Sequence, residues 1–263
     1  MDINKLTSDL NQIRERSPLI HNITNFVVMN NTANGLLALG ASPVMAHALE
    51  EMEDMVIIAS ALVINMGTLS KKWVEAMLLA GKTARDKGVP VVFDPVGVGA
   101  TPYRSEVAGT IIDQCKPSII RGNASEIMSL AKENTVTKGV DSTATSDSAL
   151  DASKKLAEQT GAVIVISGEE DFITNGKDVK IVKNGSPLMT KVTGLGCTAS
   201  AVTGAFAAVN HDFLSAATHA MAVMGIAGEL AAKKSEGPGS MQVHFLDELY
   251  HLTGETLSRH LKY

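Results

Sequence analysis

The segment Thr193–Ser200, TGLGCTAS, has the residue types and spacing of an anion-binding turn. Gly194 and Gly196 lead directly into a run of small residues that predicts a helix. Glycine lets the backbone turn where a Cβ atom would clash, and the first N–H groups of the helix point into that turn. Cys197 lies in the same turn, where the helix dipole favours a thiolate. The segment therefore predicts an anion hole in which backbone N–H groups and a thiol contact one group.

Two other interpretations fit this segment when it is taken alone. Gly194, Gly196 and Ala199 match the G-x-G-x-x-A form of the dinucleotide fingerprint. That fingerprint belongs to an early βαβ unit with an acidic residue about 20 positions on, where this chain has Thr218 and His219. A tight helix start without a ligand is the other interpretation, and it needs no function.

Asp94 follows an apolar run and is followed by Gly97 and Gly99. A carboxylate at the end of a strand and beside glycines is typical of contacts with a metal or a phosphate. The structural alternative is an Asp that caps the next turn.

Arg121 directly follows the next apolar run, a position that favours phosphate recognition by its guanidinium group. Asn123 and Glu126 have the spacing of a looser capping box, so their role could be purely structural. Ser167 and Gly168 form a hydroxyl-glycine turn after a further apolar run.

Four strand or turn ends thus present a carboxylate, an arginine with a second carboxylate, a hydroxyl and a glycine-rich helix start. This set is suited to a nucleoside triphosphate with Mg²⁺, because phosphoryl transfer depends on positioning and charge neutralisation. The Walker pattern and the protein-kinase signatures are absent, so a kinase here must have another fold.

Alternating apolar runs and helical patterns must position these residues. The 263 residues, 45% of them hydrophobic, suffice for one α/β domain spanning 1–263. The rhythm predicts a three-layer αβα fold with a mainly parallel central sheet, whose ligands bind at the carboxyl ends of the strands. The predicted strands are Leu62–Met66, Val89–Phe93, Ser118–Ile120 and Ala162–Ile166, and the clearest helices are Lys72–Asp86, which stops at Gly88, Ser125–Lys132 and Ala149–Glu158.

The last third of the chain is expected to differ from the rest. A hairpin with an Asn175-Gly176 turn between Phe172–Thr174 and Val179–Val182 is expected at one edge of the sheet. After Cys197 the pattern is helical almost to the end. Two polar stretches, Thr135–Ser148 and Lys233–Gly239, are expected to be soft connections.

Composition narrows the class of protein. The net charge is −5 with scattered Lys and Arg, which argues against nucleic acid and anionic membrane as partners. The two cysteines, Cys115 and Cys197, favour a cytoplasmic protein over a disulfide framework. The N-terminus lacks the pattern of an export signal, and the most apolar stretch, Met55–Met66, is too short to span a bilayer. The seven histidines lack the spacing of a zinc site.

Taken together, the motifs resemble the hydroxyethylthiazole kinase family of the ribokinase-like superfamily, from near residue 15 to near residue 255. Several long matches in the right order are more specific than one glycine motif. The segments that carry the resemblance are His21–Asn25, Gly40–Met45, Ile64–Thr68, Asp94–Thr101, Arg121–Glu126 and Gly194–Cys197.

The resemblance implies a ribokinase-like fold and MgATP-dependent phosphorylation of the hydroxyl of 4-methyl-5-(2-hydroxyethyl)thiazole. It also implies a homotrimer with the thiazole pocket at subunit boundaries. By matching segment, the implied residues are Met45, Gly194, Asn25 and Gly67 at the thiazole, Arg121, Ser167, Asn123 and Gly168 at ATP, Asp94 and Glu126 at Mg²⁺, and Cys197, Gly194 and Gly196 at the reaction centre.

Cys197 departs from the wider superfamily, in which an Asp at this position is the base for the accepting hydroxyl. A cysteine is usual in thiazole kinases, which puts strong base catalysis in doubt. In a loose transition state the nucleophile loses its proton late, so positioning by Cys197 is sufficient for turnover.

Three other functions remain open from the sequence. A hydroxymethylpyrimidine kinase or an ADP-dependent hydrate dehydratase would share the ATP edge and differ at Asn25, Met45 and Gly67. A thiol-nucleophile enzyme built on Cys197 would need a nearby histidine base. A non-catalytic nucleotide-binding module would bind ATP without turning over an alcohol.

Overall fold

One mixed β-sheet forms the centre of the molecule. The structure is a computed structural model that describes residues 1–134 and 146–263. Eight strands are hydrogen-bonded in the order β2-β1-β3-β4-β5-β6-β7-β8. They are β1 Leu19–Ile23, β2 Ser42–Val44, β3 Ala61–Asn65, β4 Val91–Asp94, β5 Ile119–Asn123, β6 Val163–Ser167, β7 Asp171–Thr174 and β8 Val179–Val182.

Helices connect and cover these strands. Two short 3-10 helices, Leu49–Glu51 and Pro187–Lys191, supplement the α-helices of the described ranges. The α-helices are α1 Ile3–Arg16, α2 Met29–Leu39, α3 Met52–Ile58, α4 Lys71–Lys87, α5 Pro102–Cys115, α6 Ala124–Asn134, α7 Ser146–Thr160, α8 Leu195–Val209, α9 Phe213–Lys234, α10 Pro238–His251 and α11 Gly254–His260.

Strands β1 to β6 pair in parallel, and β7 and β8 add an antiparallel hairpin at one edge. The mainly parallel sheet and the edge hairpin are therefore confirmed. Thr174 pairs with Val179, so four residues connect the two strands rather than the two of an Asn-Gly turn. Asn175 closes this longer turn, because its Oδ1 accepts the N–H groups of Lys177 and Asp178.

The sheet has a hydrophobic core on each face. Along β3, Ala61 and Val63 pack with helices α1, α2 and α8 to α11, whereas Leu62 and Ile64 pack with α3 to α7. This alternation follows from the period of two along a strand, and a strand buried on both faces reads as a continuous apolar run. The predicted three-layer αβα architecture is confirmed.

The predicted elements are present with shifted ends. Each predicted strand overlaps an observed one, and Gly88 ends α4 with a φ of 71°. Of the predicted soft stretch Thr135–Ser148, residues 135–145 lie outside the described residues, and Ser146 begins α7. The stretch Lys233–Gly239 contains only a three-residue connection, because α9 continues to Lys234 and α10 begins at Pro238.

Helix α9 is the one described helix that is long and apolar enough to cross a membrane, by length and composition alone. Met55–Met66 contains the end of α3 and all of β3, so it does not form one continuous helix. Within its most apolar window, 78% of α9 is buried inside the protein. Because its neighbours already cover it, α9 is a core helix of this fold.

Helix α8 packs against the sheet through Gly204, and this contact generates a stability prediction. A Cβ atom at Gly204 would lie 2.8 Å from Cγ2 of Val63, whereas one at Gly109 in α5 would meet nothing within 4 Å. We expect Gly204→Ala to lower the free energy of unfolding by about 1–3 kcal/mol, because the helix must shift. Gly109→Ala should raise it by about 0.5–1 kcal/mol, since alanine favours a helix.

Urea unfolding followed by circular dichroism measures both changes. Equal effects of the two substitutions would contradict the close approach of α8 to β3.

Candidate active site

The carboxyl ends of the parallel strands and the N-terminus of α8 meet at one edge of the sheet. Asn25 follows β1, Asn65 ends β3, Asp94 ends β4 and Ser167 ends β6. Strand register sets Asn65 opposite Asp94, and Asn123 opposite Ser167. The predicted gathering of polar residues at one edge is therefore observed.

Helix α8 begins where the glycines predicted a helix start. Gly194 is the N-cap with a φ of 84°, and the first helical bond runs from the N–H of Thr198 to the Gly194 carbonyl, 2.8 Å. A Cβ atom at Gly194 would lie 2.9 Å from Val28, so both conformation and space favour glycine. The first N–H groups of the helix have no partner within it, so they are free to donate to an anion.

Cys197 lies in this first turn and accepts two side-chain N–H groups. Nδ2 of Asn65 lies 3.2 Å from its Sγ, and Nδ2 of Asn25 lies 3.4 Å from it. Burial has the largest effect on the pKa of the Cys197 thiol, and the negative charge of Asp94 acts in the same direction. Together they raise this pKa to about 11. The predicted thiolate is therefore wrong, because these two effects outweigh the helix dipole. Neither amide is a base, which argues against a thiol nucleophile.

Asn65 connects the residues of this edge. Its Nδ2 also donates to Oδ2 of Asp94 at 2.8 Å, and its Oδ1 accepts from Nδ2 of Asn25 at 2.9 Å and from the N–H of Gly67 at 3.0 Å. Sequence reasoning assigned Asn65 no role. Its position at the end of β3, one strand from Asp94, was the available signal.

Asp94 is a buried carboxylate with 1% of its surface exposed. Besides Asn65, the hydroxyl of Ser200 donates to its Oδ2 at 2.7 Å. Burial raises the pKa of Asp94 to about 6, although Arg121, Ser200 and Asn65 act in the opposite direction. Ser200 is a second residue that sequence reasoning missed. It lies about one helical turn after Cys197, which was the only indication.

Arg121 lies beside this carboxylate with unused hydrogen-bonding capacity. Its side chain is 12% exposed, and one terminal nitrogen lies 4.0 Å from Oδ2 of Asp94. The other donates to Oγ of Ser167 at 2.7 Å, while its buried Nε has no partner. A Cβ atom at Gly196 would lie 3.2 Å from the guanidinium, so Arg121 borders the first turn of α8. An incompletely paired buried guanidinium beside the N-terminus of a helix is suited to bind a phosphate.

Glu126 and Asn123 form the capping box that their spacing predicted. The Asn123 N–H donates to Oε2 of Glu126 at 2.8 Å, and the Glu126 N–H donates to Oδ1 of Asn123 at 2.9 Å. Oε1 of Glu126 accepts the N–H of Gly97 at 2.9 Å, which brings the loop after β4 to the start of α6. The cap therefore also positions the Glu126 carboxylate near Asp94.

The two carboxylates form a sparse donor set for a metal. Residues 1–134 and 146–263 contain no group of three or more His, Cys, Asp and Glu side chains suited to hold a metal. Mg²⁺ usually keeps several waters and needs only one or two carboxylates. Asp94 and Glu126, whose charges interact, fit a water-rich Mg²⁺ site of this kind.

A cavity of about 790 Å³ extends from Arg121 toward α9. Ser167, Gly168 and Gly196 line it beside Arg121, as does Asp171, whose pKa burial raises to about 6. Asn123 was expected at ATP as well. Its side-chain oxygen accepts from the Ser125 hydroxyl and from the Glu126 N–H, so it serves the helix cap. The other lining residues come mainly from the segment after β8 and from α8 and α9, among them Lys183, Asn184, Pro187, Met189, Leu195, Met221, Met224, Glu229 and Lys262.

Three of the residues expected at the thiazole, Asn25, Met45 and Gly67, follow β1, β2 and β3. Gly67 touches Asn25 closely, since a Cβ atom at Gly67 would lie 2.6 Å from Nδ2 of Asn25. Met45 is half-buried after β2, two strands from β3 in the sheet. Nε2 of His21 donates to the carbonyl of Ala46 at 2.9 Å and holds that segment against β1. Asn25 thus contacts Cys197, Gly67 lies beside Asn25, and Met45 lies further along the same edge.

Arg104 fixes the loops that carry these residues, a role that sequence reasoning did not assign. Its guanidinium donates to the carbonyls of Met66, Gly67 and Val96 at 2.7, 2.8 and 2.7 Å. Three carbonyls on one guanidinium join the loop after β3 to the loop after β4.

Comparison with known proteins places this geometry in a family. The model of the Hydroxyethylthiazole kinase family matches residues 10–255. The chain is 60% identical to hydroxyethylthiazole kinase from Syntrophus aciditrophicus over 95% of its own length and 93% of that protein's. It is similar to the solved structure of the hydroxyethylthiazole kinase protein from Pyrococcus horikoshii, with a TM-score of 0.92, 40% identity and 98% of each chain covered.

A more distant likeness concerns the fold alone. A ribokinase-like superfamily protein from Enterococcus faecalis superposes with a TM-score of 0.62 at 12% identity, covering 95% of this chain and 94% of that one. The fold is therefore ribokinase-like, as the resemblance of the motifs implied. The family match over residues 10–255, together with the identity to members of the family, shows that the chain belongs to the hydroxyethylthiazole kinase family.

Proposed function

We propose that this protein transfers the terminal phosphoryl group of ATP to the hydroxyl of 4-methyl-5-(2-hydroxyethyl)thiazole, in thiamine biosynthesis or salvage. Membership of the family supports the reaction. Within the site, the observation that supports this reaction most directly is the incompletely paired guanidinium of Arg121. It is buried between Ser167 and the first turn of α8. The cationic guanidinium and the backbone N–H groups of this turn are suited to stabilise the negative charge of a transferring phosphoryl group.

ATP is proposed to occupy the cavity of about 790 Å³, with its phosphates toward Arg121. Ser167 holds the guanidinium in place, and Gly168 lines the cavity beside it. The first turn of α8, which contains Gly196, lies where the transferring group would bind. Asn123 acts indirectly, because its side chain caps the helix that carries Glu126.

Asp94 and Glu126 are proposed to hold Mg²⁺, Glu126 through water, because its two oxygens already accept backbone N–H groups. The metal ion would neutralise charge on the ATP phosphates. Asn65 and Ser200 orient the Asp94 carboxylate by donating to its Oδ2. The carboxylate is therefore fixed in place before ATP binds.

The thiazole alcohol is proposed to bind near Asn25, Met45, Gly67 and Gly194, with its hydroxyl beside Cys197. Cys197 positions this hydroxyl as a neutral thiol, held by Asn25 and Asn65. Positioning is sufficient where the nucleophile loses its proton late. The other ribokinase-like alternatives would require a different set of residues at Asn25, Met45 and Gly67.

A homotrimer in the cytoplasm is proposed for the assembled enzyme. Two exposed apolar side chains, Phe26 and Val27, directly follow Asn25, and two more, Ile57 and Ile58, lie at the end of α3. Phe26 is 66% exposed and Ile58 is 62% exposed, which is unfavourable unless another copy covers them. The two free cysteines, Cys115 and Cys197, favour a reducing compartment.

We expect Asp94→Asn to lower turnover by about 100-fold or more, since the neutral amide removes the charge that holds the metal ion. The KM for the thiazole alcohol should change little. The control is Asp171→Asn, at a carboxylate that accepts the N–H of Gly168 at the same edge. It should leave the Mg²⁺ concentration for half-maximal activity unchanged. Steady-state ADP release at varied Mg²⁺ measures turnover and Mg²⁺ dependence for each variant. Unchanged turnover in Asp94→Asn would exclude Asp94 as a residue that holds the metal ion.

We expect Cys197→Ser to retain activity within about tenfold, because a hydroxyl accepts the same two amide N–H groups and positions the alcohol. Cys197→Asp should keep or raise the rate by supplying a base. Cys115→Ala, in the core at α5, serves as the matched control. Phosphorylation of the thiazole alcohol is measured for each, and complete loss in both Cys197 variants would favour a covalent role for the thiol.

We expect Ile58→Asp to prevent trimer formation, because a carboxylate is costly in an apolar interface. Val243→Asp is the control, since Val243 is 59% exposed on α10. Light scattering gives the mass of each variant. A monomer produced by Val243→Asp and a trimer kept by Ile58→Asp would assign the interface to the opposite face of the molecule.

A further inference from the structure

The cavity that borders Arg121 has a second, chemically different end. Arg121 lies on β5, whereas Lys183 follows β8, three strands away in the sheet. Three strand spacings amount to about 14 Å. The distant end is lined by Met221 and Met224 of α9 and by Pro187 and Met189. Because the guanidinium end suits phosphates, this apolar end suits the base of a nucleotide.

Glu229 holds the wall of this apolar end. Its carboxylate is 8% exposed on α9, and its Oε1 accepts three donors. They are Nδ2 of Asn184 at 3.2 Å, the N–H of Gly185 at 3.0 Å and Nζ of Lys262 at 2.8 Å. Burial acts to raise the pKa of Glu229, but these bonds, with Lys262 first, outweigh it and lower the pKa. Glu229 is therefore a charged anchor for the segment after β8.

Residues 260–262 are tied to the same segment. Nδ2 of Asn184 donates to the carbonyl of His260 at 2.8 Å, and its Oδ1 accepts the N–H of Lys262 at 2.8 Å. The N–H of Lys183 donates to the carbonyl of Lys262 at 3.0 Å. The Asn184 amide is thus occupied by the protein itself, which makes it unsuited to read a base directly.

The segment also presses directly against α9. A Cβ atom at Gly225 would lie 2.5 Å from the carbonyl oxygen of Asn184. The distance between the two walls of the apolar end therefore depends on the bonds to Glu229, one turn along α9 from Gly225. Lys262, 58% exposed, is the outermost of the donors and lines the cavity as well.

We propose that Lys262, through its ion pair with Glu229, is a positioning residue for the nucleotide base. The pair holds residues 183–186 against α9 and so sets the shape of the apolar end of the cavity. This inference rests on the proposed function, because it takes the cavity as the ATP site. Neither residue reaches the reaction centre, so the effect is on ATP binding and leaves the chemical step unchanged.

The test compares Lys262→Met with Lys234→Met. Lys234 forms an ion pair with Glu248, and the exposures of that pair, 59% and 9%, match the 58% and 9% of Lys262 and Glu229. Lys262→Met should raise the KM for ATP at least about threefold while kcat and the KM for the thiazole alcohol stay unchanged. Lys262→Arg should restore the KM for ATP, and Lys234→Met should leave all three constants unchanged.

Glu229→Gln extends the test to the buried partner, with Glu248→Gln as its control. A loss of charge at Glu229 should raise the KM for ATP by about tenfold or more, since three donors lose a charged acceptor. Thermal unfolding of each variant identifies any change that comes from folding. An unchanged KM for ATP in Lys262→Met would overturn the inference, whatever Glu229→Gln does.

Calorimetry with a non-hydrolysable ATP analogue distinguishes a failure of the role of Lys262 from a failure of the proposed kinase function. Binding by the unaltered protein, with weaker binding by Lys262→Met, supports both the ATP site and the role of Lys262. Equal binding by both proteins would overturn the inference and leave the proposed kinase function intact. An unaltered protein that neither binds the analogue nor phosphorylates the thiazole alcohol would overturn both.

Discussion

The carboxyl group of Asp94 is almost entirely removed from solvent at the end of β4, and an ionised group there is costly unless other groups compensate it. Asn65 from β3 and Ser200 from α8 donate to it, and Arg121 from β5 lies within 4.0 Å. Three strands and one helix therefore converge on a single side chain. The raised pKa of Asp94 indicates that this compensation is incomplete, which suits a group that binds a further cation.

Three glycines at the N-cap of α8 and within this helix make the convergence possible, each in a different way. Gly194 turns the chain into α8 with a positive φ, whereas Gly196 leaves room for Arg121 and Gly204 lets α8 approach the sheet. Helix α8 therefore lies close enough for Ser200 to reach Asp94 and for Cys197 to accept from Asn25 and Asn65. A larger residue at any of these glycines would push the helix away from the carboxylate.

The cavity divides between two chemical environments. Near α8 it offers Arg121, Ser167 and backbone N–H groups, and toward α9 it offers methionines and a segment anchored by Glu229. Ser167 holds the Arg121 guanidinium at one end and three donors hold Glu229 at the other, so the space between them is shaped before a ligand enters. Such preorganisation reduces the ordering cost of binding a flexible nucleotide.

The class of fold could be predicted from the sequence, because buried parallel strands read as continuous apolar runs and helices end at glycines such as Gly88. The carboxyl ends that carry Asp94, Arg121 and Ser167 could be predicted as well, since polar residues follow each run. The roles of Asn65, Ser200 and Lys262 and the protonation of Cys197 follow instead from contacts between distant parts of the chain. Hydrogen bonds and burial depend on distances between residues more than a hundred positions apart along the chain, as between Ser200 and Asp94. Local patterns report a residue's neighbours along the chain, and the chemistry of this site is set by its neighbours in space.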